Sequence, residues 1–356
     1  MTKYLRWLLL PFSLVYGLVV IMRNWLYDAG IFTSRTFNLP VIAVGNLDVG
    51  GAGKTPMTEY LVRLLKDDHK LATLSRGYGR QTKGFLTATA TSITATELGD
   101  EPSQFHQKFP GITVAVSEKR AWGIEQLMND HEVIVLDDAY QHRAVNPGFK
   151  ILLLDYNRLN DPKLLLPAGN LREPFIGRYR ADVMVVSKCP AGLTQAQQQK
   201  ALEVLLPLHY QQVYFTGITY LPLQNLEGQP VSKNIDSHTT VFLLTGIANA
   251  QPLLSYIKEH TLHVIHHNYP DHHQFSIKNI AKLAKDFNGC KAPKKVIITT
   301  EKDAQRLYEP QLLPQVKALP IWVLPIGIQF LNQQQQQFNN TIYNYVKQYK
   351  TYRRLY

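Results

Sequence analysis

The feature that most constrains this chain is a glycine-rich loop between a predicted strand and a predicted helix. The apolar run VIAV at 41–44 indicates a buried strand, and apolar residues from Met57 to Leu65 recur at helical spacing. The loop between them ends in glycine, lysine and threonine, as phosphate-binding loops do. Backbone N–H groups of small residues can surround phosphate oxygens there, and the start of the helix adds a positive potential. The candidate nucleotide-binding residues are Val49, Gly50, Gly51, Ala52, Gly53, Lys54, Thr55 and Pro56.

One position departs from the full phosphate-loop pattern. Asp48 occupies the place, five residues before Gly53, where that pattern has glycine. The alternative interpretation is a strand-to-helix turn that binds no ligand. Because strand, loop and helix agree with one another, we favour nucleotide binding. In this interpretation Lys54 reaches the β- and γ-phosphates, and the Thr55 hydroxyl holds Mg²⁺.

Composition restricts the class of protein and the class of partner. The chain has 356 residues, of which 45% are hydrophobic, and a formal net charge of +11. Its length predicts two domains, or one domain with insertions. Its charge favours an acidic partner, whether nucleic acid, nucleotide, phosphorylated substrate or anionic membrane. Basic residues are spread along the chain without a recognition motif, so we expect no nucleic-acid partner. Two cysteines, Cys189 and Cys290, provide no disulfide framework.

The N-terminal segment is apolar. Between Arg6 and Arg23 lie sixteen uncharged, mostly apolar residues, fewer than the ~20 that span a bilayer comfortably. Aromatic residues and arginines at both ends are typical of interfacial anchors. A cleaved signal peptide and a core helix are the alternatives. We favour a helix within 1–30 that lies in, or barely crosses, a membrane surface.

Further apolar runs predict an α/β protein of the phosphate-loop class, with a mostly parallel sheet and flanking helices. Two aspartates, Asp137 and Asp138, follow the run at 133–136, where such proteins place an acid that anchors Mg²⁺. A composition shift near residue 210 predicts a boundary. We expect a phosphate-loop domain at 31–210 and a smaller α/β domain at 211–356, which would close over the nucleotide.

Three polar segments are open to more than one interpretation. Asp100 and Glu101 could cap a helix and form its first turn, bind Mg²⁺ or activate a hydroxyl. Arg76, in the segment SRGYGR, could bind a phosphate or belong to a solvated turn. The segment HVIHHNYPDHH at 263–273 has five histidines, but a proline interrupts it, which disfavours a zinc site. We expect a polar loop around His272, which could act as an acid or base if a carboxylate orients it.

Eight motifs, in order and over nearly the whole chain, resemble the tetraacyldisaccharide 4′-kinases of lipid A biosynthesis. They are VGNLDVGGAGKTP, LSRGYGR, GDEP, VIVLDDAYQH, LPAGNLREP, TGIAN, YPDHH and TTEKDAQRL. The chain departs from the family pattern at Ala139 and Tyr140, which stand where glycine and phenylalanine are expected. It departs again at Asp48, where threonine is more usual.

This resemblance implies a membrane-associated kinase on the cytoplasmic face of the bacterial inner membrane. Such a kinase transfers the γ-phosphate of ATP, with Mg²⁺, to the 4′-hydroxyl of a tetraacyldisaccharide 1-phosphate. The family's acid–base pair corresponds to Asp100 and His272, and Lys54 completes the catalytic set. The metal-binding candidates are Thr55, Asp137, Asp138 and Glu101. The acceptor-binding candidates are Arg76, Arg80, Gln141, Arg172 and Glu173. No obligate protein partner is expected.

Two other functions are alternatives. The first is a GTPase or metallochaperone of the switch type, which would use the histidines to bind metal. Pro190 stands where a guanine-reading aspartate would be, and this favours ATP over GTP. The second is a membrane adaptor that binds ATP as a structural ligand and transfers phosphate to no lipid.

Overall fold

The computed structural model describes residues 3–89, 95–232 and 234–353. The strands, in chain order, are β1 (Val41–Asn46), β2 (Leu71–Ser75), β3 (Leu86–Thr87), β4 (Thr113–Val116), β5 (Val133–Leu136), β6 (Phe149–Asp155), β7 (Val183–Ser187), β8 (Gln212–Tyr220), β9 (Gln224–Asn225), β10 (Thr240–Thr245), β11 (Val264–Asn268), β12 (Lys295–Thr299), β13 (Ile321–Val323) and β14 (Ile326–Phe330).

The α-helices lie between these strands and at both ends of the chain. They are α1 (Leu10–Asp28), α2 (Lys54–Leu65), α3 (Ala95–Leu98), α4 (Asp100–Lys108), α5 (Arg120–Leu127), α6 (Gln195–Leu205), α7 (Gln251–Lys258), α8 (Ile277–Gly289), α9 (Glu301–Leu307), α10 (Leu313–Lys317) and α11 (Gln335–Arg353). Short 3₁₀ helices occur at Lys3–Leu9, Tyr156–Arg158 and Phe175–Arg180.

The larger sheet has the strand order β14-β8-β7-β6-β1-β5-β2-β4-β3. Every pairing from β8 to β4 is parallel, and only the outer pairs β14–β8 and β3–β4 are antiparallel. Strands β1 and β5 are buried along their whole length, which is why their sequences are continuous apolar runs. The predicted α/β class with a mostly parallel sheet is confirmed.

The smaller sheet has the order β11-β10-β12-β13-β9 and is parallel except for the β13–β9 pair. Its apolar interior includes Phe242, Ile280, Leu283 and Ile297. Since parallel strands expose their loops at one carboxyl edge, this sheet presents the loops after β10, β11 and β12 together.

The sheets divide the chain differently from the predicted boundary at residue 210. Strand β8 extends the larger sheet to Tyr220, and β14 returns to pair with β8 after the smaller sheet is complete. We call each sheet, together with the helices packed on it, the larger unit and the smaller unit. The last helix buries Phe338 and Ile342 in the core of the larger unit. The segment 211–356 is therefore not one structural unit, because the strands of the smaller sheet come from 224–323 only. Pairing of β14 with β8 spans about a hundred residues and leaves no local signal in the sequence.

Helix α1 packs on the larger unit by one face only. Ser13 Oγ accepts from the Ala168 N–H at 2.8 Å and donates to the Leu165 carbonyl at 3.1 Å. A Cβ on Gly17 would lie 2.7 Å from a methyl of Leu165, so the close approach needs glycine there. The opposite face exposes large apolar side chains, among them Phe12, Leu14, Val15, Leu18, Ile21 and Trp25. Residues Arg6–Asp28 are long and apolar enough to cross a membrane.

Candidate active site

The glycine loop connects β1 to α2 in the predicted order of strand, loop and helix. Gly53 has a φ of 87°, a left-handed conformation that favours glycine, and it directly precedes Lys54, the first residue of α2. The Met57 N–H donates to the Gly53 carbonyl at 3.2 Å, and the Ala52 N–H donates to the Gly50 carbonyl at 3.1 Å. The loop thus curls over the start of α2, where unpaired N–H groups stabilise an anion.

The Lys54 side chain is held between polar groups at two strand ends. Its Nζ donates to Asn46 Oδ1 at 3.1 Å and lies 3.7 Å from Asp138 Oδ1. Asn46 ends β1, and Asp138 follows β5, the parallel neighbour of β1. The sequence analysis singled out Lys54 and Asp138 but not Asn46, whose amide fixes where the ammonium sits.

The outer side of the glycine loop is fixed by the segment 158–172. The Val49 N–H donates to the Asn170 carbonyl at 2.8 Å, and Arg158 Nη1 donates to the Val49 carbonyl at 2.8 Å. Asp48 forms an antiparallel bridge with Leu171. Because any residue can adopt such an extended pairing, this position does not require the glycine of the general pattern.

Asp137 is a buried carboxylate at the carboxyl end of β5. Its Oδ1 accepts a hydrogen bond from Thr58 Oγ1 at 2.9 Å. Burial, and then the nearby carboxylates of Glu101 and Asp138, raise the pKa of Asp137 to about 6. Ionised carboxylates that repel one another in a buried place favour a cation among them.

The donor chemistry of this edge fits Mg²⁺. The ion prefers hard oxygen ligands, takes only one or two carboxylates from the protein, and keeps phosphate and water ligands. The Thr55 hydroxyl and the Asp137 carboxylate supply oxygens of that kind. Across the part of the chain that the structure describes, no group of three or more His, Cys, Asp or Glu side chains is arranged to hold a metal ion. Phosphate or water oxygens would therefore have to complete the ligand set.

Asp100 opens helix α4 and meets residues from the smaller sheet. Arg306 donates to Asp100 Oδ2 from Nη2 at 2.6 Å and from Nε at 3.1 Å. His272 Nδ1 lies 3.2 Å from the same oxygen. Asp100 and His272 are 172 positions apart in the chain, so the fold brings this predicted pair together across two sheets.

Arg306 is a buried arginine that the sequence analysis missed. Besides Asp100, its guanidinium donates to Asp303 Oδ1 at 3.0 Å and to the Gly246 carbonyl at 2.9 Å. A guanidinium out of contact with water is stable only when such partners satisfy it. Arg306 belongs to the motif TTEKDAQRL. The neighbouring residues in the sequence did not indicate that its side chain would contact Asp100, which lies in the other unit.

His272 adopts a backbone conformation that is uncommon for a residue with a side chain. Its φ is 57°, and its N–H donates to the Gly246 carbonyl at 3.0 Å. The side chain is 44% exposed, and the Tyr78 ring centre lies 6.2 Å away. Unusual backbone conformations persist where the surroundings hold them, often at functional sites. The predicted loop is confirmed at 271–272, which form a turn after β11.

Two ion-pair systems join α4 and α2 to the smaller unit. Glu101 Oε1 lies 2.6 Å from Lys302 Nζ. Lys108 donates to the buried Glu59 at 2.6 Å and also pairs with Glu301. Since Glu101 is already paired with a lysine, it is a weaker metal-ligand candidate than Asp137.

The predicted acceptor-binding arginines have different surroundings. Arg80 donates to the Gly84 carbonyl at 2.6 Å and pairs with Glu118, which compensates its charge within the loop. Arg76 is exposed. Arg172 Nη1 donates to Asp138 Oδ1 at 2.9 Å, directly beside Lys54.

Glu173 and Gln141 belong to a buried network behind the glycine loop. Gln141 Nε2 donates to the Asn46 carbonyl at 2.8 Å and to Glu173 Oε1 at 2.9 Å. The fully buried Glu173 also accepts from Arg180 at 2.9 Å and from Asn24 of α1 at 3.2 Å. These contacts connect α1 to the end of β1 and leave Glu173 without access to an acceptor.

An open cavity of about 620 Å³ lies at the carboxyl edge of the smaller sheet. Asn249, Asn268, His266 and Asp271 line it. Burial lowers the pKa of His266. Amides, a neutral imidazole and a carboxylate are the groups that hydrogen-bond to sugar hydroxyls.

Comparison with known proteins decides the family. The sequence model of the family Tetraacyldisaccharide-1-P 4′-kinase matches residues 5–347. The chain belongs to this family. The resemblance inferred from the eight motifs is thereby confirmed, and the chain is a kinase that acts on a lipid disaccharide.

Relatives of known structure and sequence agree with the family assignment. The chain is 45% identical to the tetraacyldisaccharide 4′-kinase of Phocaeicola vulgatus, over 97% of this chain and 96% of that one. It is 44% identical to that of Flavobacterium johnsoniae, over 97% and 98%. The crystal structure of LpxK from Aquifex aeolicus in complex with ATP superposes with a TM-score of 0.75 at 29% identity. That likeness covers 96% of this chain and 99% of the other. Because the chain belongs to a kinase family, we no longer favour a switch-type GTPase or metallochaperone, or a membrane adaptor that transfers no phosphate.

Proposed function

We propose that the protein transfers the γ-phosphate of ATP to the 4′-hydroxyl of a tetraacyldisaccharide 1-phosphate, at a site shared by its two sheets. One observation carries this proposal. Asp100, which begins a helix of the larger unit, is held by His272 and Arg306 of the smaller unit, and its chain neighbour Glu101 acts on the pKa of Asp137. The Asp100 carboxylate, which can accept a proton, therefore lies beside the carboxyl edge of the larger sheet, where the candidate phosphate-binding loop is.

ATP is the donor in this proposal, and the larger unit binds it. The backbone N–H groups at 50–55 and the Lys54 ammonium hold the phosphates. Thr55 and Asp137 are the proposed Mg²⁺ ligands. The carboxylates of Asp138 and Glu101 add negative charge close to them. Bound Mg²⁺ neutralises negative charge on the phosphate oxygens. Arg172 adds a second cation to the same edge through its pair with Asp138.

Asp100 is the proposed base. The acceptor oxygen forms a bond to the γ-phosphorus, the bond from that phosphorus to the bridging oxygen breaks, and ADP leaves. The proton of the 4′-hydroxyl passes to the Asp100 carboxylate. His272 and Arg306 act as positioning residues, because they fix which oxygen of Asp100 faces the acceptor. Alignment of this kind contributes much of the rate in phosphoryl transfer.

The lipid acceptor suggests how the protein meets a membrane. We propose that the exposed face of α1 enters the bilayer surface, where Phe12, Leu18 and Trp25 contact acyl chains. ATP is present in the cytoplasm, so we place the protein on the cytoplasmic face of the inner membrane. The cavity beside Asp271 then lies next to His272 and suits the sugar that carries the 4′-hydroxyl.

The connection between the sheets supports a closing motion. The chain passes between them twice, after β8 and before β14, and the Leu221 N–H donates to the Pro325 carbonyl at 2.9 Å where the two passes lie side by side. Two paired connections of this kind can act as a hinge. Closure over ATP would align Asp100 with the γ-phosphate and exclude water.

The test is phosphate transfer from γ-labelled ATP to a defined lipid in detergent micelles with Mg²⁺. We expect label in tetraacyldisaccharide 1-phosphate, and none in the same lipid whose 4′-position is already phosphorylated. Lys200→Ala, on the exposed side of α6, is the charge-matched control for Lys54→Ala and keeps full activity. Unlabelled lipid in the presence of confirmed ATP binding would contradict the proposal.

A further inference from the structure

Two motifs of the sequence, TGIAN and TTEKDAQRL, have no role in the mechanism above apart from that of Arg306. They follow neighbouring strands of the smaller sheet. Gly246, in the first motif, comes directly after β10, and Asp303, in the second, lies in the first turn of α9, after β12. Leu244 stands opposite Thr299 in the parallel pairing of these strands. The two loops therefore emerge side by side at the carboxyl edge of the sheet.

Asp303 is a fully buried carboxylate that holds Arg306. Neither of these two side chains is exposed to solvent, and Arg306 Nη1 donates to Asp303 Oδ1 at 3.0 Å. The other oxygen of Asp303, Oδ2, accepts from the Thr300 hydroxyl at 2.7 Å. Burial raises the pKa of Asp303, whereas hydrogen bonds from the Gly246 N–H and the Thr300 hydroxyl act in the opposite direction. Because both of its oxygens are held, the carboxylate fixes the orientation of the guanidinium.

Gly246 connects Asp303 to the turn that carries His272. Strand β10, which Gly246 follows, lies between β11 and β12. The Gly246 carbonyl accepts from the His272 N–H at 3.0 Å and from Arg306 Nη1 at 2.9 Å. A Cβ on Gly246 would lie 3.2 Å from Asp303 Oδ1 and 3.3 Å from the Cβ of His273, so this close approach favours glycine. The backbone that holds His272 therefore packs directly on the Asp303 carboxylate.

Both groups that contact Asp100 depend on this arrangement. Arg306 directs Nε and Nη2 to Asp100 Oδ2, at 3.1 and 2.6 Å, and directs Nη1 to Asp303 and the Gly246 carbonyl. Because a guanidinium is planar, fixing Nη1 also fixes the two nitrogens that face Asp100. His272 has a φ of 57°, a conformation that the surrounding structure must hold. Asp303 thus supports both partners of Asp100, one directly and one through Gly246.

We propose that Asp303 is a positioning residue for phosphate transfer, which sets the place of the Asp100 carboxylate through Arg306 and His272. This inference rests on the proposed function, in which Asp100 is the base. Since Asp303 is fully buried, it acts through these two neighbours and not on a substrate. Its negative charge also compensates Arg306, because a buried guanidinium is stable only when it is paired. Phosphate transfer is sensitive to small errors in the alignment of the base.

The test measures kcat and KM for ATP by lipid labelling, in Asp303→Asn and in the unmodified protein. The amide keeps the size of the side chain but has one acceptor oxygen and no charge. We expect kcat to fall about ten-fold, as loss of one charged hydrogen bond does, and KM for ATP to stay unchanged. In the Asp100→Asn background, the same substitution should lower kcat no further, because residues that act as a unit are non-additive.

Controls separate this role from a structural one. Asp286→Asn makes the same change at an exposed position of α8 and should leave kcat unchanged. Full kcat in Asp303→Asn, a raised KM for ATP, or an additive loss in the Asp100→Asn background would overturn the inference while the kinase remained.

A second variant covers the case in which Asp303→Asn does not fold. Thr300→Val removes the hydroxyl contact to Asp303 Oδ2 and retains every charge. A lower kcat with unchanged KM for ATP would support the inference, and full kcat would overturn it. Failure of the unmodified protein to label the lipid would instead overturn the proposed function, and this inference with it.

Discussion

The two sheets present different chemistry at their carboxyl edges. The edge of the larger sheet carries a glycine loop, Lys54 and the carboxylates of Asp137 and Asp138. The edge of the smaller sheet carries one strained histidine, His272, and one arginine, Arg306, that reaches across to Asp100. The first edge has what a phosphate needs to bind, and the second has what a base needs to be aligned.

This difference indicates that nucleotide binding and phosphate transfer are separable. Substitutions on the larger edge should weaken ATP binding, whereas those on the smaller edge should leave binding intact and slow the reaction. In the proposed mechanism, the interface between the two units, where Asp100 meets His272 and Arg306, decides whether bound ATP can react.

The largest effect is expected for Lys54→Ala. Loss of the ammonium removes the charge that faces the phosphates, so turnover should fall about 10²- to 10³-fold and ATP affinity should fall with it. Equilibrium binding of a fluorescent ATP analogue and lipid labelling measure the two quantities. Unchanged affinity for ATP would show that Lys54 does not belong to the nucleotide site. It would also contradict the assignment of phosphate binding to the edge of the larger sheet.

Asp100→Asn should separate the two functions most clearly. The amide keeps the shape of the side chain but accepts no proton, so turnover should fall about 10²-fold. Affinity for ATP should stay within about two-fold of that of the unmodified protein. Near-normal turnover in the labelling assay would show that Asp100 is not the base.

Asp137→Asn should alter the pH dependence of stability in the absence of Mg²⁺ and nucleotide. Burial raises the pKa of Asp137 from 3.8 to about 6, so between these values the folded chain keeps a proton that the unfolded chain has lost. Stability of the unmodified protein therefore falls as pH rises through this window, and the whole penalty is present above about pH 6. The asparagine variant lacks it, and should gain roughly 3 kcal/mol relative to the unmodified protein between pH 4 and pH 7.

Urea unfolding of both proteins across this pH range measures the difference. Other acids with raised pKa values titrate in both proteins and cancel in the comparison. If the unfolding free energies of the two proteins changed in parallel with pH, this would contradict the assignment of Asp137 as a buried carboxylate poised for a cation.

The smallest effect is expected for Asn24→Ala. This change removes the hydrogen bond from α1 to the buried Glu173 carboxylate, which should cost about 1–3 kcal/mol of unfolding free energy. Leu14→Ala, on the exposed face of α1, is the matched control and should leave stability in detergent unchanged. Equal melting temperatures for Asn24→Ala and the unmodified protein would indicate that α1 is not coupled to the network behind the glycine loop.

Local sequence patterns predicted much of the carboxyl edge of the larger sheet. The apolar run at 133–136 is β5 to the residue, and the predicted strand before the glycine loop is part of β1. Asp100 and Glu101 begin α4, as one of the sequence interpretations held. These elements were predictable because strand burial, loop glycines and helix starts depend on neighbours in the chain.

Contacts across the fold were not predictable in the same way. Arg306 and Asp100 are 206 positions apart, and the return of β14 to the larger sheet depends on pairing with β8 rather than on its own residues. Arg80 resembled an acceptor-binding arginine, yet Glu118 pairs with it, and Glu173 is buried against Arg180. A loop sequence gives the charge of a side chain but not the partner that compensates it.

A double-mutant cycle between Asp100 and His272 tests most directly whether the two sheets form one active site. It needs Asp100→Asn, His272→Asn and the double variant, with kcat measured by lipid labelling. If His272 acts only by positioning the Asp100 carboxylate, the double variant should be no slower than Asp100→Asn alone, because residues that act as a unit are non-additive. Fully additive losses in the double variant would contradict a shared site.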